Sequence, residues 1–258
     1  MTEGIDVELR GCALTSKGGQ VRLESTSVTF PAAQITAVVG PNGAGKSSLL
    51  GIAAGTLVPS EGNVLFDGTD ISIMNARELG QSRAVLAQDL SVAFGFSVAD
   101  VVSWGRTPWR GSEQQKFDQF AIESALERVG VRHLASRAIN ELSGGERKRV
   151  HLARVLAQNT RCVVMDEPDS DLDLTGIASL DSTISDMQSD GTTLIVTSHD
   201  LARISRIAQW MVVVASHRII AAGDVRSVMT TEILSEAYGT RVEVYWNDRG
   251  IAEISTVY

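Results

Sequence analysis

An α/β fold, with an antiparallel β portion at its N-terminus and a helical lobe inserted in the middle, is what this sequence predicts. Three observations predict it. Short apolar runs at Ile35–Val39, Cys162–Met165, 194–196 and 211–214 recur with helical or loop segments between them, the βαβ rhythm of a parallel sheet. Ahead of them, Val7, Leu9, Val21, Leu23, Val28 and Phe30 alternate with polar residues, as a half-buried antiparallel sheet requires. From about residue 99 to residue 158 the apolar spacing becomes helical. At 258 residues the natural arrangement is a single domain, residues 1–258. About 1–88 and 160–258 would form its α/β core, and about 89–159 the helical lobe.

Each element can be justified in order. Gly18-Gly19 reads as the turn of an N-terminal hairpin. The β-branched run Ile35–Val39 ends in a glycine-rich loop, and Ser48-Leu49-Leu50-Gly51-Ile52 continues beyond it as a helix. The run Ala84-Val85-Leu86-Ala87 leads to Gln88, at the entrance to the helical lobe. Within the lobe Ile122, Leu126 and Val129 sit at helical spacing and Gly130 caps them. A second helix opens after Ser143-Gly144-Gly145, with Glu146 first and basic residues after it. From about Arg218 short strands and one helix around 231–238 complete the chain, and no internal repeat, low-complexity segment or heptad pattern is present.

Composition bounds the function. With 43% hydrophobic and 21% charged residues the chain can bury a full core. Its 23 Lys and Arg against 31 Asp and Glu give a net charge of −8, which opposes a general nucleic-acid-binding role. Cys12 and Cys162 share no metal-ligand spacing; Cys162, opening an apolar run, reads as a small buried hydrophobe, and no disulfide framework is expected, which fits a reducing cytosol. The N-terminal stretch carries acids and no apolar core of a secretory signal. No apolar run approaches the ~20 residues that cross a bilayer; Trp210–Ala215 reads as a buried strand. A membrane role would have to come through a partner.

Gly40-Pro41-Asn42-Gly43-Ala44-Gly45-Lys46-Ser47 follows a strand, opens a helix and satisfies the P-loop pattern. Its glycines let successive N–H groups turn inward onto phosphate oxygens, and the helix start adds its positive dipole end. Lys46 would reach the β and γ phosphates, and the Ser47 hydroxyl would ligate Mg²⁺. Asp166-Glu167 ends the run Cys162–Met165. Alone, such a pair is usually a loop start; with a P-loop upstream, Asp166 would hold the cation through water and Glu167 would orient or deprotonate the attacking water. Ser143-Gly144-Gly145-Glu146 is a second Ser/Gly loop opening a helix, yet it has no lysine and no strand leading into it. Such half a phosphate site makes sense if it completes a site on another subunit. Ser143 and Glu146 also form an ordinary capping box, and both readings can hold at once. Gln88 and His199 each follow an apolar run, where ligands collect in open α/β sheets.

In this order, and across nearly the whole chain, these motifs resemble the ATP-binding cassette (ABC) family: P-loop 40–47, Q-loop Gln88, signature 142–146, Walker B Asp166-Glu167, D-loop Ser170-Asp171-Leu172-Asp173 and switch His199. The resemblance implies a P-loop ATPase core that binds Mg-ATP as a head-to-tail homodimer. Each ATP would lie between one P-loop, continuing to Ser48, and the other subunit's Ser143, Gly144 and Gly145. Asp173 would join the nucleotide contacts, Ser47, Gln88 and Asp166 would hold Mg²⁺, and Glu167, assisted by Gln88, would be the base while His199 contacts the γ-phosphate. Three departures stand out. The adenine-stacking aromatic is missing, its nearest equivalent being about Lys17, with no aromatic between Met1 and Phe30. Asp169 stands where threonine is common and Asp171 where alanine is common, adding negative charge near the expected dimer interface. Ser48 replaces a usual threonine.

Among ABC ATPases, chromosome and repair members carry coiled-coil insertions and translation members two cassettes, neither of which this chain has. An iron–sulfur assembly ATPase is the cytosolic rival. Phe96-Ser97-Val98-Ala99-Asp100-Val101-Val102 and Gly105-Arg106-Thr107-Pro108 resemble instead the ATPases that import iron complexes, haem and cobalamin. Ala93-Phe94 and residues 152–158 bring the haem-import type nearest. The implied partners are integral membrane permease subunits and, indirectly, an extracytoplasmic substrate-binding protein, with the ATPase on the cytoplasmic face of the membrane. Ferric siderophore and cobalamin are the alternative cargoes.

Overall fold

The computed structural model describes residues 4–88 and 95–256. Strands β1 (Val7–Thr15) and β2 (Val21–Phe30) pair antiparallel, with Val7 opposite Phe30 and Leu9 opposite Val28. The inward residues change parity along β2, from Leu23 to Val28 and Phe30, because the register slips between Leu9 and Leu14. Val21, expected inward, is 43% exposed; it is the last pair of the hairpin, beside the turn closed by Ser16 and Gln20. With β4 (Glu61–Phe66) and β5 (Thr69–Asp70) these form a sheet in the order β2-β1-β4-β5.

The main sheet runs β10-β9-β3-β8-β7-β6. Its strands are β3 (Ile35–Val39), β6 (Arg83–Leu86), β7 (Cys162–Met165), β8 (Thr193–Thr197), β9 (Trp210–Ala215) and β10 (Arg218–Asp224). All are parallel except β10, which folds back on β9. Strands β3, β7 and β8 are buried at every residue, because helices or the N-terminal sheet cover both faces. Since β3, β6, β7 and β8 point one way, the segments that follow them gather on one rim.

Helix α1 (Lys46–Ala53) follows β3, and α2 (Ala76–Ser82) precedes β6. Helices α3 (Val98–Ser103), α4 (Asp118–Arg128) and α5 (Gly144–Gln158) lie between β6 and β7. Gly130 ends α4 at φ 70°, with Gly130 N–H donating to Glu127 and Val131 N–H to Leu126, a paired C-terminal cap only a left-handed residue completes. Val98, Val101, Val102, Val150 and Ala153 share one apolar cluster with Leu86, Val163 and Met165, so these helices and the sheet have a common core.

Helices α6 (Leu174–Ser189) and α7 (Leu201–Ile207) bring the chain into β8 and β9. Beyond β10 come α8 (Val225–Val228), α9 (Thr231–Tyr238) and the hairpin β11 (Val242–Trp246) and β12 (Ala252–Thr256). This is one helix more than the single one expected there: α8 is one turn capped by Asp224, too short for periodicity to reveal. Cys162 is free and buried, as expected, and Cys12 is free and buried as well. Among the described residues no helix is long and apolar enough to cross a membrane.

Candidate functional site

The loop after β3 is shaped by its neighbours. At Gly40 a Cβ would lie 1.9 Å from the Val214 carbonyl oxygen, and φ is 146°, so the loop leaves the sheet against β9 only because this residue has no side chain. The turn between β9 and β10, Ser216 and His217 at φ 48° and 65°, reaches over to the loop. There His217 N–H donates to Ala44 O at 3.0 Å. Helix α1 begins at Lys46 with no side chain capping it, which leaves its first N–H groups open to an anion.

Lys46 is 6% exposed and folds back over the loop, donating to Gly40 O at 2.8 Å and Pro41 O at 3.0 Å. Burial pushes its pKa below the ordinary lysine value, while Glu167 and Asp166 pull it back up. A nearly buried ammonium with two neutral acceptors and nearby carboxylates is placed to meet phosphate oxygens. A cavity of about 260 Å³ opens beside it, lined by Asn42, Gly43, Gly45, Lys46, Ser47 and Ser48 together with Glu167, Arg22 and His217. Lys17, on the β1–β2 turn, is not part of this lining; Arg22 and His217 supply the planar groups there.

The acidic pair is held by strand register. Met165 pairs with Leu86 on one side and Val196 on the other, so the residues after these strands come side by side. Thr197 Oγ1 donates to Asp166 Oδ1 at 2.7 Å and accepts from Glu167 N–H at 2.7 Å, fixing both acids with one hydroxyl. Glu167 has φ 48°, a left-handed conformation unusual for its residue type and common at functional turns. Its Oε2 accepts from Gln88 Nε2 at 2.9 Å, and its Oε1 lies 2.7 Å from His199 Nε2. An ionised carboxylate only accepts, so the imidazole presents an N–H at this contact. Gln88, Glu167 and His199, read from three separate segments, therefore form one cluster.

A divalent cation fits the chemistry of the donors present. Ser47, Asp166 and Gln88 offer only hard oxygen ligands; the Gln88 amide nitrogen is engaged by Glu167, so its carbonyl oxygen is the atom left for a cation. Among the described residues no three His, Cys, Asp or Glu side chains gather into a chelating cluster.

Other predicted site residues stand apart within one chain. Ser143 caps α5 in a full capping box, its hydroxyl donating to Glu146 Oε2 at 2.7 Å and its own N–H donating to the same oxygen at 2.8 Å. These bonds hold the Glu146 carboxyl below its ordinary pKa. A Cβ at Gly144 or Gly145 would meet open space, and none of the three lines the cavity beside Lys46. Asp173 caps α6, accepting from Gly176 N–H at 2.7 Å. Lys148 of α5 donates to the backbone and hydroxyl oxygens of Ser170.

Thr197, Arg22 and His217 are site residues the motifs do not point to. Thr197 was legible in principle, since a hydroxyl one place beyond Val196 must fall beside Asp166 once the two strands are aligned. Arg22 and His217 carried no signal, because a strand residue and a hairpin turn distant in sequence meet only through the fold.

A sequence profile described as ABC transporter matches residues 23–170. The chain is 38% identical over 244 residues to the hemin import ATP-binding protein HmuV of Nocardia farcinica, covering 93% of this chain and 85% of that one. It is 33% identical over 245 residues to the ferric enterobactin transport ATP-binding protein FepC of Escherichia coli, covering 93% and 90%. Its fold superposes on a chain of a metal-chelate type ABC transporter in an inward-facing conformation with TM-score 0.82 at 23% identity, over 99% and 98% of the two chains. With more than half of its residues matched by the family profile and nearly all aligned to these relatives, the chain belongs to the ABC transporter ATP-binding family.

Proposed function

We propose that this chain is the ATP-hydrolysing subunit of an importer, working as a homodimer to energise uptake of haem, or another iron complex, through a separate permease. The observation that carries the ATPase reading is the placement of Lys46 and Glu167 on one cavity, with Gln88 and His199 bonded to the two oxygens of that carboxylate. In this reading the loop N–H groups and Lys46 bind the β and γ phosphates. Ser47, Asp166 and Gln88 hold Mg²⁺, which when bound neutralises phosphate charge. Glu167 takes the proton of the attacking water and His199 contacts the γ-phosphate. Arg22 and His217 face the base, where a guanidinium plane substitutes for the missing aromatic ring. The open Gly144-Gly145 loop and Asp173 complete the partner subunit's site, which explains why they stand away from Lys46 in a single chain.

The haem reading rests on the hemin-import relatives, and the ferric enterobactin relative supports the siderophore alternative. The surface meeting the permease includes Phe96, which is 40% exposed and packs edge-on against Trp104 with ring centroids 5.1 Å apart. Val98, Val101 and Val102 face inward as core. Ala93 and Phe94, which also suggest haem import, lie outside the described residues. A permease places this chain on the cytoplasmic face of the membrane, with an extracytoplasmic substrate-binding protein delivering cargo. The test is reconstitution with the permease encoded beside it, reading ATPase stimulation by binding protein loaded with haem, ferric siderophore or cobalamin. Stimulation by haem-loaded protein is expected; stimulation by another cargo but not haem would overturn the haem reading alone. An ATPase that no permease stimulates would favour the cytosolic assembly reading.

A further inference from the structure

Behind the Glu167 cluster lies a buried ionic network that the nucleotide site does not use. Arg203, on α7, has a side chain only 1% exposed. Its Nη1 donates to Asp169 Oδ2 at 2.8 Å and its Nε to Asp181 Oδ1 at 2.7 Å, with Nη2 2.6 Å from that same oxygen. Asp169 Oδ2 also accepts from the Ser198 hydroxyl at 2.5 Å. Ser198 Oγ in turn accepts from Asp200 N–H at 3.1 Å, and Asp200 Oδ1 accepts from Arg203 N–H at 2.8 Å, closing a ring. Two other bases lie near these acids among the described residues: Arg206, half-exposed and 3.9 Å from Asp181, and Lys148, which is bonded to Ser170 and within electrostatic reach of Asp169.

Burying these charges is costly, and an apolar cluster of similar volume would stabilise the fold at least as well. What the ions supply that apolar packing cannot is a fixed geometry, because the guanidinium fork accepts only one arrangement of two carboxylates. That arrangement joins two particular places. Ser198 immediately precedes His199, and Asp169 lies two residues after Glu167 and immediately before the Ser170–Asp173 segment. The two sides of the His199–Glu167 contact are thus anchored to one buried side chain.

We infer that Arg203 is a positioning residue that locks the Ser198-His199 segment to the Asp169–Asp173 segment, so that the His199–Glu167 contact is set by how the second segment sits. This rests on the proposed ATPase reading, in which that segment faces a second subunit. Movement of Asp169–Asp173 on subunit contact would then be transmitted through Asp169 and Arg203 to His199. Disrupting the lock affects the chemical step and leaves nucleotide binding by the loop at 40–47 intact.

The experiment compares Asp169→Asn, Arg203→Met, Arg203→Lys, the Asp169→Asn/Arg203→Met double variant and Arg206→Met in the full chain. It measures kcat for ATP hydrolysis, ATP affinity by direct titration, and folding by circular dichroism at the assay temperature. Asp169→Asn and Arg203→Met are expected to lower kcat by roughly tenfold or more, the scale of a small misplacement of a catalytic group, with ATP affinity nearly unchanged. Lysine offers a point charge without the rigid planar fork that holds Asp169 and Asp181 in one arrangement, and should not restore kcat at position 203. The double variant should be no worse than the poorer single one, since both break the same link. Arg206→Met should behave as wild type. Folded Asp169→Asn with wild-type kcat overturns the inference, as does a loss that follows only the unfolded fraction. If Arg203→Met does not fold, Asp169→Asn decides, because it leaves the Arg203–Asp181 pair in place. Glu167→Gln is run alongside. Retained turnover there would mean the ATPase site is misread, whereas its loss with an unaffected Asp169→Asn would remove the lock alone.

Discussion

Replacing Glu167 with glutamine exchanges one carboxylate oxygen for an NH₂ group at nearly constant volume. In the structure one oxygen accepts from Gln88 at 2.9 Å and the other meets His199 at 2.7 Å. The glutamine oxygen can still accept from His199. Its NH₂ would then face the Gln88 NH₂, a clash of donors that a half-turn of the Gln88 amide removes while turning its carbonyl oxygen away from the proposed cation position. The structural cost is therefore that of weakening charge-assisted hydrogen bonds to neutral ones, about 1 kcal/mol. The chemical cost is larger: losing a general base slows a reaction by roughly 10²–10⁴-fold, about 3–5 kcal/mol on the barrier. Lys46 and its two carbonyl partners are untouched, so ATP binding should persist. Phosphate release at saturating ATP should nearly stop while titrated affinity stays close to wild type, and size-exclusion chromatography should show an ATP-bound dimer accumulating. Near-normal turnover would refute the assignment and move the base elsewhere.

Lys46→Ala removes a buried ammonium; at about 4 Å and an effective dielectric of about 20 one such charge pair is worth about 4 kcal/mol, so ATP affinity should fall by up to roughly a thousandfold on direct titration. Ser143→Arg should leave monomer binding of ATP normal and abolish turnover, with at most one working site per dimer recovered on mixing with Lys46→Ala protein; full activity alone would reduce the Ser143 loop to a helix cap. Arg22→Ala should weaken binding of ATP while leaving inorganic triphosphate binding unchanged, and equal losses for both ligands would exclude a role at the base. Burial pushes the Cys162 thiol up to about 12 and raises Cys12 as well. Both should therefore stay unmodified by a thiol reagent at mildly alkaline pH and react together only on denaturation; rapid labelling of the native protein would contradict the packing around them.

Much of the site was legible because its parts are local. The loop at 40–47, the Asp166-Glu167 pair and the Ser143 cap each carry their chemistry within a few residues, and a strand or helix beside them shows which way they face. Gln88 and His199 were legible only by position, as residues ending core strands; that both touch the same carboxylate depends on the order in which β6, β7 and β8 lie. Asp169 showed as surplus negative charge without a purpose. Its partners Ser198 and Arg203, and Asp181 on the far side of Arg203, lie on other elements, and no spacing rule links them to it. Val21 shows the opposite failure: alternation marks it as inward, but a register slip and the end of the hairpin leave it exposed.

The turn between β9 and β10 has a consequence for how the protein is made. Gly40 rests on Val214, Ala44 accepts from His217 N–H, and the His217 carbonyl accepts from Glu24 N–H, so one hairpin joins the phosphate loop to the N-terminal sheet. The loop emerges early from the ribosome, yet the strand and turn that shape it are among the later parts of the chain to be synthesised. A nascent chain that stops short of β9 carries the whole motif and none of the braces. Contacts this distant in sequence form slowly and late. Nucleotide capture is thus deferred until most of the polypeptide exists, and a prematurely terminated product should be unable to sequester ATP even though its phosphate-binding sequence is complete.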